Sequence, residues 1–308
     1  MNGNAPGTDR LAAWLQLLRL PNLFTVPGDP LAGYALAGIA CGVATDLALA
    51  VSVALASLLL YCAGLIQNDL CDWETDRVER PGRPIPSCRV SVAAATAAAL
   101  VLAAGGVGTA TMAGYGAGCV AALLLTSMTL YNGWAKRCSS TGPFVMGLCR
   151  GLSLLLGAAA LGGAGLRTPV VLAAGLCLTA YVAAVTRIAA QETGPYRLGG
   201  FRWVPAGLLA AGLGAVWGLA RVQTPSMVCL GAVLGLGAVL WAGLCGRYLR
   251  DQAEPRVVQQ TIGRFLRGLL LMQACLLAVG GTLWTPVAAA VLCGWPASRW
   301  LAKRFYAS

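Results

Sequence analysis

Apolar stretches of about twenty residues recur along the chain, near 20–41, 48–67, 90–108, 113–132, 142–163, 167–186, 203–221, 226–246 and 265–284. A shorter one covers 287–295. They are continuous and rich in Ala, Leu and Gly, without the strict alternation of a barrel strand, and their length is that of a helix crossing the hydrocarbon layer. A bilayer leaves no partner for unpaired backbone groups, so such runs fold as helices. The pattern predicts an all-α, polytopic transmembrane bundle of nine spans, ten if 287–295 also crosses, forming one domain over 1–308. Pro21, Pro27 and Pro30 crowd the first run, so its helix is expected to begin late or to be kinked.

The polar connections add a sidedness signal. Arg77, Arg80, Arg83 and Arg89 follow the second run, Lys136 and Arg137 the fourth, Arg187, Arg197 and Arg202 the sixth, and Arg247 to Arg267 the eighth, while the intervening connections, such as Gly105 to Gly116, are nearly uncharged. Basic connections stay in the cytoplasm, which places every second one there together with Arg10 and Arg19. The basic tail, Arg299, Lys303 and Arg304, prefers the same side and favours an even number of spans. Residues 1–10 hold no apolar core or cleavage signal, so the first helix is expected to target the chain without loss of a leader.

Composition agrees: 58% of residues are hydrophobic, 11% are charged, and mean hydropathy is +0.72. Net charge is +11, from 22 basic and 11 acidic residues. No basic patch carries interleaved aromatics, so the excess fits positive loops and anionic lipid headgroups rather than nucleic acid. Histidine is absent, which excludes imidazole base catalysis and His-bound haem or zinc. The twelve cysteines are scattered singly with no CxxC pair and read as small packing residues.

Five of the eleven acidic residues, Asp69, Asp72, Glu74, Asp76 and Glu79, fall within eleven positions at the end of the second run. On one continuous helix Asn68, Asp72 and Asp76 would share a face. Oxygen ligands stacked there repel one another unless a cation lies among them. Carboxylate and amide oxygens suit Mg²⁺, which commonly completes its shell with phosphate oxygens and water. The plainer alternative is a solvated acidic helix end answered by nearby arginines. Against it, the carboxylates continue an apolar helix, where ionisable groups are costly. Arg80-Pro81-Gly82-Arg83-Pro84-Ile85-Pro86-Ser87 follows directly, a rigid, Arg-bearing turn suited to anionic oxygens.

Here the chain resembles the UbiA superfamily of membrane prenyltransferases, whose first aspartate motif has the form NDxxDxxxD followed by RPxRPxPS. Asn68, Asp69, Asp72 and Asp76, then Arg80 to Ser87, match both. Arg19-Leu20-Pro21-Asn22 looks like the family's R-x-P-N helix start, and Tyr131 to Lys136 like its Tyr and Lys element. The second motif departs: where two aspartates four apart are expected, Thr186 to Thr193 holds Glu192 as its only acid. That form, with Met146-Gly147-Leu148-Cys149-Arg150-Gly151, is similar to the EboC-like branch of the superfamily. The resemblance implies a prenyl diphosphate donor, a small aromatic or polyol acceptor and Mg²⁺ held by Asn68, Asp72 and Asp76 with Asp69 in support and Glu192 in a second, weaker site. It further implies that Arg19, Asn22, Arg83 and Lys136 contact the diphosphate, with Arg187 replacing some of the charge of the second metal. Tyr131 would orient the diphosphate or face an allylic cation, although an interfacial aromatic anchor is an equally open role. A carrier or flippase for an isoprenoid lipid phosphate, and a UbiA-type terpene cyclase, are the competing readings.

Overall fold

In a computed structural model, residues 6–190, 199–220, 224–249 and 254–305 are described. The helices are α1 (Pro6–Leu17), α2 (Leu20–Leu23), α3 (Gly28–Cys41), α4 (Leu47–Cys71), α5 (Trp73–Glu79), α6 (Val92–Ala113), α7 (Tyr115–Gly133), α8 (Thr141–Ala159), α9 (Gly162–Leu166), α10 (Pro169–Ala189), α11 (Val204–Leu219), α12 (Pro225–Tyr248), α13 (Pro255–Val279) and α14 (Thr285–Phe305). There is no strand among the described residues. Local chemistry fixes many ends. The Asp46 carboxylate accepts from the Ala48 and Leu49 amides at the start of α4, and the Ser91 hydroxyl from the Ala94 amide at the start of α6. Proline occupies a first-turn position of α10, α11, α12 and α13, where a missing N–H costs nothing.

The first apolar run is broken as its prolines predict: α2 is a four-residue turn, and the main helix, α3, starts only after Pro27. The uncharged connection expected around 105–116 is shorter than the hydropathy pattern suggests. Helix α6 continues to Ala113, and Gly114 alone, at φ 153°, reverses the chain into α7. The polar stretch 247–267 is mostly helical, since α12 reaches Tyr248 and α13 begins at Pro255.

Among the described residues six helices, α4, α6, α8, α10, α12 and α13, are long and apolar enough to cross a membrane. Helices α3 and α11 are shorter, at 14 and 16 residues, while α7 and α14 have the length but a lower apolar density. Each long helix packs on its predecessor, and α8 joins the two main cores, one with α3, α10 and α13 and the other with α4, α6 and α7. Without a hydrophobic drive between helices in lipid, close approach of small residues holds them together. At the crossing of α3 and α8, Gly157 lies so near the Pro30 carbonyl that a Cβ would collide with it. Helix α6, by contrast, is only 11% buried along its apolar window, the surface that lipid tails would cover. Ala13 and Leu17 of α1 pack with Ile66, Ile85 and Val90, laying α1 across the bundle end where α4 stops.

Candidate active site

The acidic motif sits at that end. Helix α4 carries Asn68 and Asp69 and breaks at Asp72, whose backbone (φ −94°, ψ 1°) leaves the helical region before α5 resumes. Hydrogen bonds still cross the break, from Asp72 N to Asn68 O (3.0 Å) and from Asp76 N to Asp72 O (2.8 Å). The kink turns the expected single stack into two adjoining groups. Asn68 and Asp72 face each other, with Asn68 Nδ2 donating to Asp72 Oδ2 at 3.3 Å. Asp69 and Asp76 are buried, 6% and 4% exposed, and are answered by arginines.

Three cations from three segments meet these carboxylates. Lys136, in a tight turn over 135–137 after α7, donates to Asp72 Oδ1 at 2.6 Å and to Asn68 Oδ1 at 3.3 Å. Arg83 pairs with Asp76 and lies 3.8 Å from Asp69. Arg19 reaches Asp69 at 3.1 Å. The Arg83 turn is closed by Arg83 N to Arg80 O and Ser87 N to Arg83 O, both 3.0 Å, and by Arg89 donating to the Gly82 carbonyl at 2.7 Å. Its prolines fix φ and give up donors that the turn does not need. Tyr131, half-buried near the end of α7, stands within electrostatic reach of Arg19 and Asp72.

Asn132, within the Tyr131 to Lys136 element, supports the site through its side chain. It donates to Gly64 O (3.0 Å) and to Gln67 Oε1 (3.1 Å), tying α7 to α4 one turn before Asn68. Its signal was a buried amide at the end of an apolar run. Asn22 lies in α2, where its backbone amide donates to Arg19 O at 2.9 Å. Arg187, near the end of α10, donates to the Ser139 carbonyl and lines an apolar groove of about 400 Å³ with Phe144, Ala180, Ala183 and Phe201. Glu192 lies outside the described residues.

The donor set fits a hard divalent cation. Asn68 Oδ1 and Asp72 Oδ1 already converge on one positive centre, the Lys136 ammonium. Among the described residues no three acidic or cysteine side chains enclose a metal position. A metal here would therefore draw on a few protein oxygens plus phosphate and water, the usual habit of Mg²⁺. Three carboxylates facing three cations also leave little net charge, so an anionic diphosphate would enter most favourably with its own cation.

The sequence of the UbiA prenyltransferase family matches residues 31–258. Over 197 residues the chain is 32% identical to digeranylgeranylglyceryl phosphate synthase of Methanoculleus marisnigri, covering 63% of this chain and 68% of that protein. Proteins of the same name from Metallosphaera sedula and Ignicoccus hospitalis are 33% and 34% identical over 47% and 49% of this chain, and the matches span about half of their length, 50% and 48%. Among solved structures, an apo UbiA homologue from Aeropyrum pernix K1 superposes with a TM-score of 0.61 at 21% identity, over 82% of this chain and 96% of that one. A structure from work on digeranylgeranylglyceryl phosphate synthase in membranes gives 0.60 at 18% identity, over 88% and 97%. At these identities the two structures establish the shared fold.

Proposed function

The chain belongs to the UbiA prenyltransferase family, and on that footing we propose that it moves a prenyl group from a prenyl diphosphate to a small hydroxyl-bearing acceptor within the membrane. The observation that carries this reading is the meeting of Asn68, Asp69, Asp72 and Asp76 with Arg19, Arg83 and Lys136 at one end of a helical bundle. Acid oxygens beside guanidinium and ammonium groups are the means of holding a diphosphate together with its cation.

In this reading Lys136, Arg83 and Arg19 bind phosphate oxygens, Asn22 sets the turn that presents Arg19, and the Tyr131 hydroxyl orients the diphosphate. Mg²⁺, held by Asn68 and Asp72 with Asp76 and Asp69 adding negative charge beside it, would supply Lewis-acid neutralisation of the leaving diphosphate. The C–O bond to the prenyl carbon breaks, diphosphate leaves with the electron pair, and an acceptor hydroxyl oxygen forms the new bond while its proton passes to the departing diphosphate. Transfer rather than hydrolysis requires that water be kept from the allylic carbon until the acceptor captures it. Arg187 and Glu192 would form a weaker second half of the site. The names of the relatives favour a glycerol-phosphate acceptor over an aromatic one.

Sidedness belongs to the same proposal. Helices α3, α4, α6, α7, α8, α10, α11, α12, α13 and α14 would make ten crossings, with both ends of the chain and the acidic motif in the cytoplasm, as the basic connections require. The test is purified protein in nanodiscs with Mg²⁺, geranylgeranyl diphosphate and a glycerol-phosphate lipid. Acceptor-dependent release of diphosphate with a prenylated lipid supports the reading. Binding without release would identify a carrier, and release without need of an acceptor would identify a cyclase.

A further inference from the structure

A second charged group lies deep in the bundle, apart from the acidic motif. Asp29 of α3 is fully buried and pairs with Arg150 Nε of α8 at 2.9 Å, while Gln273 of α13, 1% exposed, donates to Asp29 Oδ1 at 2.6 Å. Ionisable groups at such depth are costly and call for a purpose. Both donors converge on one backbone atom: Arg150 Nη2 reaches the Thr25 carbonyl at 2.7 Å, and Gln273 Nε2 reaches the same oxygen at 2.6 Å. The proline-broken segment between α2 and α3 frees that carbonyl from helical pairing. Gly28 has no side chain, and a Cβ there would occupy the place of the Gln273 amide.

From Thr25 a hydrogen-bonded turn leads back to Arg19. Thr25 N and Oγ1 donate to Asn22 O at 3.1 and 2.9 Å, and Asn22 N donates to Arg19 O at 2.9 Å. Ser298 of α14 adds a bond to Pro21 O at 2.8 Å. Arg19 itself has φ 45° and ψ 53°, a left-handed conformation that a non-glycine residue keeps only where its surroundings enforce it. One end of the turn is held by the ion pair with Asp69, the other by the clamp on Thr25.

We infer that Arg150 and Gln273, with Asp29 fixing both, are positioning residues that hold the Arg19 turn so that its guanidinium faces the acidic motif and the anion bound there. The inference rests on the proposed diphosphate site, but it concerns how one cation of that site is aimed. Removing the clamp frees Arg19 to relax and leaves Lys136, which is carried by α7, in place.

The experiment measures binding of inorganic diphosphate with Mg²⁺ to the full protein by calorimetry. Arg150→Met alone would strand the Asp29 charge, so the main variant is Asp29→Asn with Arg150→Met, and Gln273→Leu is made separately. Each is expected to weaken binding about tenfold, the equivalent of one charge-assisted hydrogen bond. The deciding readout is coupling. In an Arg19→Ala background the clamp variants should add less than about twofold, and in a Lys136→Met background they should again cost about tenfold. Clamp variants that bind as well as wild type, or whose loss is the same in both backgrounds, overturn the inference alone. A wild-type protein that binds no diphosphate overturns it together with the proposed function.

Discussion

Replacing Asp72 by asparagine separates the chemistry of the acidic motif from its contribution to folding. The Asp72 side chain is 32% exposed and its Lys136 partner 14%, at 2.6 Å. An ion pair this open contributes roughly 0.2–1 kcal/mol to stability. Asparagine keeps an oxygen that Lys136 can reach, so the folded state should lose less than about 1 kcal/mol. Turnover should suffer far more, because the lost carboxylate would be a ligand of the Mg²⁺ that neutralises the departing diphosphate. Removing one such electrostatic contact costs about 3 kcal/mol, or roughly 100-fold in rate. The assay pairs diphosphate release across a Mg²⁺ titration with thermal unfolding in the same detergent. Activity above about a tenth of wild type, or a loss that follows unfolding, would refute the assignment. Asp76→Asn is the useful contrast: Asp76 is only 4% exposed and pairs closely with Arg83, so losing its charge also weakens a buried ion pair and lowers stability.

Other consequences follow from the same geometry. Lys136→Met removes the ammonium that occupies the Asn68 and Asp72 oxygens, so Mn²⁺ should bind more tightly without diphosphate while diphosphate affinity falls; paramagnetic resonance titration reads the first, and unchanged Mn²⁺ affinity counts against a shared position. Arg187→Ala should weaken diphosphate binding, and Glu192→Gln should reduce turnover less than Asp72→Asn does; calorimetry and rates decide, with unaltered binding or equal losses against the asymmetric site. Gly157→Ala forces α8 away from Pro30 and should cost about 1–3 kcal/mol of stability without changing diphosphate affinity. Cys71 and Cys88, both exposed, should react with an impermeant maleimide only from the cytoplasmic side, and labelling from outside would reverse the orientation.

The hydropathy pattern located the helices because each apolar run must satisfy its backbone internally, and the runs map onto α3, α4, α6, α7, α8, α10, α11, α12 and α13, with the short 287–295 stretch inside α14. It misjudged connections where a single glycine, Gly114, makes the turn. The acidic motif was legible as charge density in an apolar chain. Its internal arrangement was not, because the kink at Asp72 and the choice of Arg83 for Asp76 and Lys136 for Asp72 depend on contacts between distant segments. Asp29, Arg150 and Gln273 were harder still, lying in three separate apolar runs with nothing local to join them. A lone ionisable residue inside such a run was the available signal, and Asp29 and Arg150 both carry it.

Prenyl transfer at the acidic end of the bundle is tested directly by phosphorus NMR of the protein in nanodiscs with geranylgeranyl diphosphate and a glycerol-phosphate lipid. The expected result is Mg²⁺-dependent appearance of free diphosphate, matched mole for mole by prenylated lipid, in wild type and not in Asp72→Asn. Prenyl diphosphate that stays intact with wild type, or is consumed equally by Asp72→Asn, would contradict it.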